Sequence, residues 1–220
     1  MINTLLNLDN LLSKGYKNIL FLFYLLVIFL TNYFLLSNEN YMRGVMENIK
    51  SNIENRQVVE MTERGMEAML QNPAMIVSFS LKPVFQNFYS LLILIFLSWL
   101  IISFFTDKWI SILEIYYCMS TALIFLLFGA IINFGVMYLT YSPVSWFEFG
   151  AYFDYFSLEP IVKKLSKGYN LFTLLTIAIF SKYASAIYQE KFIAIFSLVN
   201  LSWILILVVS YFLNVGIGLN

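Results

Sequence analysis

LSKGYNLFTLLTIAIFSKYASAIYQEKFIAIFSLVNLSWILILVVSYF, residues 165–212, reads as two apolar segments joined by the short polar hinge SKYASAIYQEK, 181–191. Each segment is long enough to approach the thickness of a hydrocarbon core, roughly 30 Å at 1.5 Å per helical residue. A soluble domain has no room for such a pair; a bilayer does. Composition agrees. The 220 residues are 60% hydrophobic and 12% charged, with mean hydropathy +0.78, where soluble domains carry about 25% charge.

The same composition narrows the chemistry. Formal net charge is zero, so no basic face for nucleic acid is expected. There is no histidine and a single cysteine, Cys118. An intrachain disulfide is thereby excluded, and zinc, haem and imidazole-base sites lose their commonest ligands. No catalytic, cofactor-binding or metal-ligating residue is assigned, and no cofactor is expected.

Working outward from the closing pair, three more apolar runs appear. Residues 18–36 (NILFLFYLLVIFLTNYFLL) are uncharged. This run exceeds a usual signal-peptide core and no A-x-A-like site follows it, so it is read as a retained first span. Residues 87–105 and 115–140 are the second and third, separated by a tight polar turn at Thr106, Asp107 and Lys108. With 169–187 and 192–213 they predict an all-α, polytopic membrane protein: a five-helix bundle, one membrane domain over 1–220.

Two connections stand out. In 37–86, Tyr41, Val45, Ile49 and Ile53 fall at i, i+4, i+8 and i+12, with Met42 and Met46 beside them, which predicts an amphipathic helix. A second helix is expected from Thr62 as N-cap, with Glu63 in its first turn, Met66, Met69 and Leu70 as its stripe, and an end before Pro73. Such helices lie in the interface, meet a partner, or pack on the chain's own spans. The other connection, 141–168, crowds Trp146, Phe147, Phe149, Tyr152, Phe153, Tyr155 and Phe156 between Pro143 and Pro160. It is expected to form an aromatic interfacial loop.

Polar residues inside the runs are few. Asn32, Asn133 and Asn200 are candidates for bridging helices or, alternatively, for lining a transport path. Gly129 and Asn133 sit one turn apart and mark a helix contact face. Lys182 lies near the hinge, where its stem can reach the interface. Glu114 is expected to pair with Lys108 or Lys182. Ser181 and Lys182 are the one Ser/Lys pair, but sequence neighbours do not face each other on a helix. With the N-terminus inside, Lys14, Lys17, Lys108, Lys182 and Lys191 oppose Arg43, Lys82, Lys163, Lys164 and Lys167. The positive-inside count is therefore balanced, and the two lysines before the first span favour N-terminus inside, C-terminus outside.

The order of parts, with EMTERGMEAM (60–69) before the second span and YNLFTLLTIAIFSKYASAIYQEKFIAIF (169–196) at the end, resembles the Yip (Ypt/Rab-interacting protein) family in its bacterial branch. Phe172 fits that family's pattern. Asn170 stands where an acidic residue is usual, Leu174 or Leu175 replaces a tryptophan, and no glycine occurs around Ile179 and Phe180. The resemblance implies a non-enzymatic protein of the bacterial cytoplasmic membrane that organises or assists other membrane proteins, or self-associates. Eukaryotic relatives bind prenylated GTPases through a long N-terminal segment. The short segment before Asn18 does not support GTPase binding here. A small transporter or permease-like subunit is the alternative, and would require a polar cleft lined by Asn133, Asn200 or Lys182.

Overall fold

The computed structural model describes residues 14–52, 56–142, 162 and 169–212. These form seven α-helices and no strand: α1 Lys14–Leu36, α2 Glu39–Asn52, α3 Arg56–Gln71, α4 Pro73–Thr106, α5 Ile112–Thr140, α6 Leu171–Tyr188 and α7 Phe192–Phe212. Helices α1, α4, α5, α6 and α7 are long and apolar enough to cross a membrane. The predicted all-α bundle with an amphipathic helical connection is thus the observed architecture. The aromatic connection expected over 141–168 falls, apart from Tyr141, Ser142 and Val162, outside the described residues.

Two boundaries differ from expectation. Thr62 is not a cap: α3 begins at Arg56, and the Thr62 hydroxyl donates to the Val58 carbonyl one turn back. A threonine inside a helix has that option as readily as capping. The second span does not start at 87. Asn72 is the N-cap, its side chain accepting from the Ala74 amide, and Pro73 sits at the first helical position, where its missing N–H costs nothing. The helix then runs 34 residues, through Pro83, about 51 Å. Lys82 consequently belongs to the same continuous helix as the second span.

The five long helices close a ring: α5 packs on α1 and α6, α4 on α1 and α7, and α6 on α7. The ring's interior is filled by side chains such as Leu91, Met119, Phe180 and Trp203, each fully buried. Its outer face carries Leu22, Phe23, Phe96, Phe104, Phe128 and Ile193 exposed. Apolar residues on both faces are what a lipid-surrounded helix requires. Gly129 marks a contact face, as its spacing suggests. A Cβ there would lie 2.6 Å from Cγ of Phe172, so the missing side chain is what admits the α6 ring against α5.

The helix ends are fixed by polar contacts at one end of the bundle. The Trp99 indole donates to the Ile110 carbonyl at 2.6 Å, folding the 107–111 turn back along α4. Lys108 donates to the Tyr188 carbonyl at 2.7 Å and pairs with Glu190 at 2.8 Å. Ser103 and Tyr188 share a hydrogen bond of 2.9 Å. The hinge closes as a Schellman turn, with Gln189 left-handed and the Glu190 amide bonding back to the Ser185 carbonyl. Tyr116 reaches Asn18 at 3.0 Å at this same end, so the α1 N-terminus lies beside the 107–111 and 189–191 turns.

Candidate functional site: an acidic groove between two amphipathic helices

At the opposite end, α2 and α3 form a hairpin seated on the ring. Their stripes pack inward: Tyr41, Met42 and Met69 are buried with Leu35 of α1 and Ile76 of α4. Burial raises the Tyr41 phenol above its ordinary pKa. Phe134 and Met137 of α5 pack against the same cluster. Gly44 makes the seat possible. A Cβ there would run into the Tyr141 carbonyl oxygen, which belongs to the left-handed residue ending α5. Packing on the chain's own spans is therefore one use of these helices.

It does not use them fully. Helices α2 and α3 run antiparallel, tied where Lys50 pairs with Glu63, but they otherwise meet sparingly. A groove of about 350 Å³ lies between them. Met42, Met46, Met66 and Leu70 line it as apolar floor, and Glu39, Arg43, Glu47, Lys50, Glu63 and Glu67 supply its charge. Four carboxylates thus face two cations. Among the described residues Lys50–Glu63 is the groove's ion pair, leaving Glu39, Glu47 and Glu67 unneutralised by a salt bridge.

Helical periodicity was enough to identify the floor, since Met42, Met46, Met66 and Leu70 belong to the two predicted stripes. The charged rim went unassigned. Its signal in the sequence is the one-turn spacing of Glu39, Arg43 and Glu47 on α2, matched by Glu63 and Glu67 on α3. That Lys50 meets Glu63 needs the hairpin.

The other singled-out residues are dispersed. Asn32 donates to the Ile28 carbonyl of its own helix at 2.8 Å. Asn200 donates to the Phe196 carbonyl at 2.8 Å and accepts from the Tyr169 hydroxyl at 3.4 Å. Asn133 is half-buried toward the C-terminus of α5, whereas Lys182 is exposed toward the C-terminus of α6, at the opposite end of the bundle. These three do not converge on one cleft. Glu114 is exposed and its expected partner Lys108 is taken by Glu190. Ser181 is buried, bonding the Ile177 carbonyl, while Lys182 points outward, so they form no dyad. An amide that does bridge two spans lies at the start of the second apolar run. Asn87 is fully buried, accepts from the Tyr24 hydroxyl at 2.7 Å and donates to the Pro83 carbonyl.

Among the described residues no three His, Cys, Asp or Glu side chains come together as a metal site. What the groove offers chemically is apolar contact ringed by negative charge. Comparison with protein-family models, with curated proteins and with solved structures finds no match.

Proposed function

We propose that this is a non-enzymatic integral membrane protein that assists or scaffolds other membrane proteins, docking them on its α2–α3 hairpin. The single observation that carries this reading is the hairpin itself. It is seated on the ring through Gly44 and the Tyr41–Met42–Met69 cluster, yet keeps an apolar, charged-rimmed groove open to the outside of the bundle.

The layout of one span, an amphipathic connection, two spans and a closing hairpin supports a Yip-type membrane protein. In that reading it lies in a bacterial cytoplasmic membrane with its N-terminus inside and C-terminus outside. The hairpin then faces outward, since α1 delivers the chain to that end. The transporter alternative finds no support in the positions of Asn133, Asn200 and Lys182.

Photocrosslinking residues placed at Met46 and Glu67 in native membranes test the docking reading. A small set of defined protein adducts is expected from these positions, absent from a control at Phe104 on the far end. Adducts to lipid alone, or the same adducts from all three positions, would remove it.

A further inference from the structure

The groove also specifies the chemistry of what enters it. Its α2 wall runs from Glu39 to Lys50, twelve residues, or about 16 Å and three helical turns. Its floor is methionine-rich, drawn from both helices, and methionine side chains adapt to apolar partners of different shape. The two amphipathic helices share buried methionines at their base, Met42 and Met69, and leave a groove between them on the outside. At about 350 Å³ the space sits at the small end of ligand-sized pockets, enough to accept the apolar edge of a helix while its remainder stays outside.

Charge then chooses among occupants. Among the described residues, Glu39, Glu47 and Glu67 line the groove together with Arg43, and Lys50 is held by Glu63. An anionic lipid headgroup or an acidic helix would meet like charge. The segment 213–220 that follows α7 is uncharged and would leave those carboxylates unanswered. We propose that the α2–α3 groove receives a basic amphipathic helix of another membrane protein, its apolar edge on Met42, Met46, Met66 and Leu70 and its Lys or Arg residues against Glu47 and Glu67. This is the helix-in-groove mode of recognition, and it rests on the docking function proposed above.

The test uses the full chain in nanodiscs of zwitterionic lipid and a fluorescent 16-residue helical peptide with leucines at i, i+4, i+7 and i+11 flanked by lysines. A glutamate-flanked peptide of the same apolar pattern and empty nanodiscs are the controls. Expected is saturable binding of the lysine peptide above the empty discs, weakened by salt and lowered about tenfold in E47Q/E67Q, since rim charges are worth little singly. M66D should abolish it; a K50C/E63C crosslink that still forms in the M66D background shows that α2 and α3 still meet there and the hairpin persists. Equal binding of both peptides, or no effect of E47Q/E67Q, overturns the proposal. So does tighter binding of a peptide of residues 158–168, which carries Lys163, Lys164 and Lys167, because the occupant would then come from this chain. If the peptide fails while defined crosslinks from Met46 and Glu67 persist, the docking function stands and only the basic-helix chemistry falls.

Discussion

Gly44 and Gln189 show how much single backbone positions decide. Gly44 sits where α2 meets the Tyr141 carbonyl, and an added methyl has backbone rather than a flexible side chain in its way. Overpacking of this kind costs about 1–3 kcal/mol. Gly44→Ala should therefore loosen the hairpin specifically: limited proteolysis within α2–α3 accelerates, while the detergent melting of the ring shifts little. Gln189 holds a left-handed conformation at φ 53° that a non-glycine residue adopts at a cost of roughly 1 kcal/mol. Gln189→Gly is expected to raise thermal stability in detergent by a degree or more, with no change in the Lys108–Glu190 contact. A lower melting temperature would contradict a backbone cost at this left-handed position.

Polar contacts between helices are each readable as a difference between variants. Tyr24–Asn87 ties α1 to α4 inside the bundle. Interhelical hydrogen bonds in membranes average about 0.6 kcal/mol and reach about 1.7. Tyr24→Phe should fall in that range by steric-trap or denaturant unfolding, at the upper end because the pair is fully buried. At the turn-bearing end, Lys108 serves two acceptors, the Tyr188 carbonyl and Glu190. Lys108→Ala should accordingly destabilise more than Glu190→Ala. The latter removes only a partly exposed ion pair worth about 0–1 kcal/mol. Equal effects in the two variants would mean the carbonyl contact contributes nothing. α4 itself is long because it serves both the hairpin and the ring: α3 packs on its N-terminal part, α1 and α7 pack along it, and its last turns meet the end of α6.

For the whole molecule the ring of five apolar helices sets which surfaces share a side. The 107–111 and 189–191 turns lie together at one end, and α2–α3 at the other. Because Cys118 is the single cysteine and is buried, introduced cysteines report topology with little background. Asp107→Cys and Gln189→Cys should label from one side of the membrane, Arg64→Cys and Glu67→Cys from the other. Labelling of Asp107 and Glu67 from the same side would contradict an odd number of crossings between them.

Apolar run length and the scarcity of charge determined, without any coordinates, that the chain belongs in a bilayer as five helices, because burying that much uninterrupted apolar surface has few other solutions. Helical periodicity likewise determined the stripes of α2 and α3, including the methionines that became the groove's floor. Those signals are local. Only the tertiary structure decided that α4 continues back to Pro73, since Lys82 and Pro83 interrupt the apolar run before the second span, and the turns before them pack under the hairpin through Met75 and Ile76. It alone showed that Asn87 bonds Tyr24 and that Lys108 answers Glu190 rather than Glu114, contacts between residues 63 and 82 positions apart. And it alone made a groove from two stripes: a stripe states which face is apolar, but whether that face is filled, by lipid, by the chain's own spans or by nothing, depends on where the neighbouring helices end.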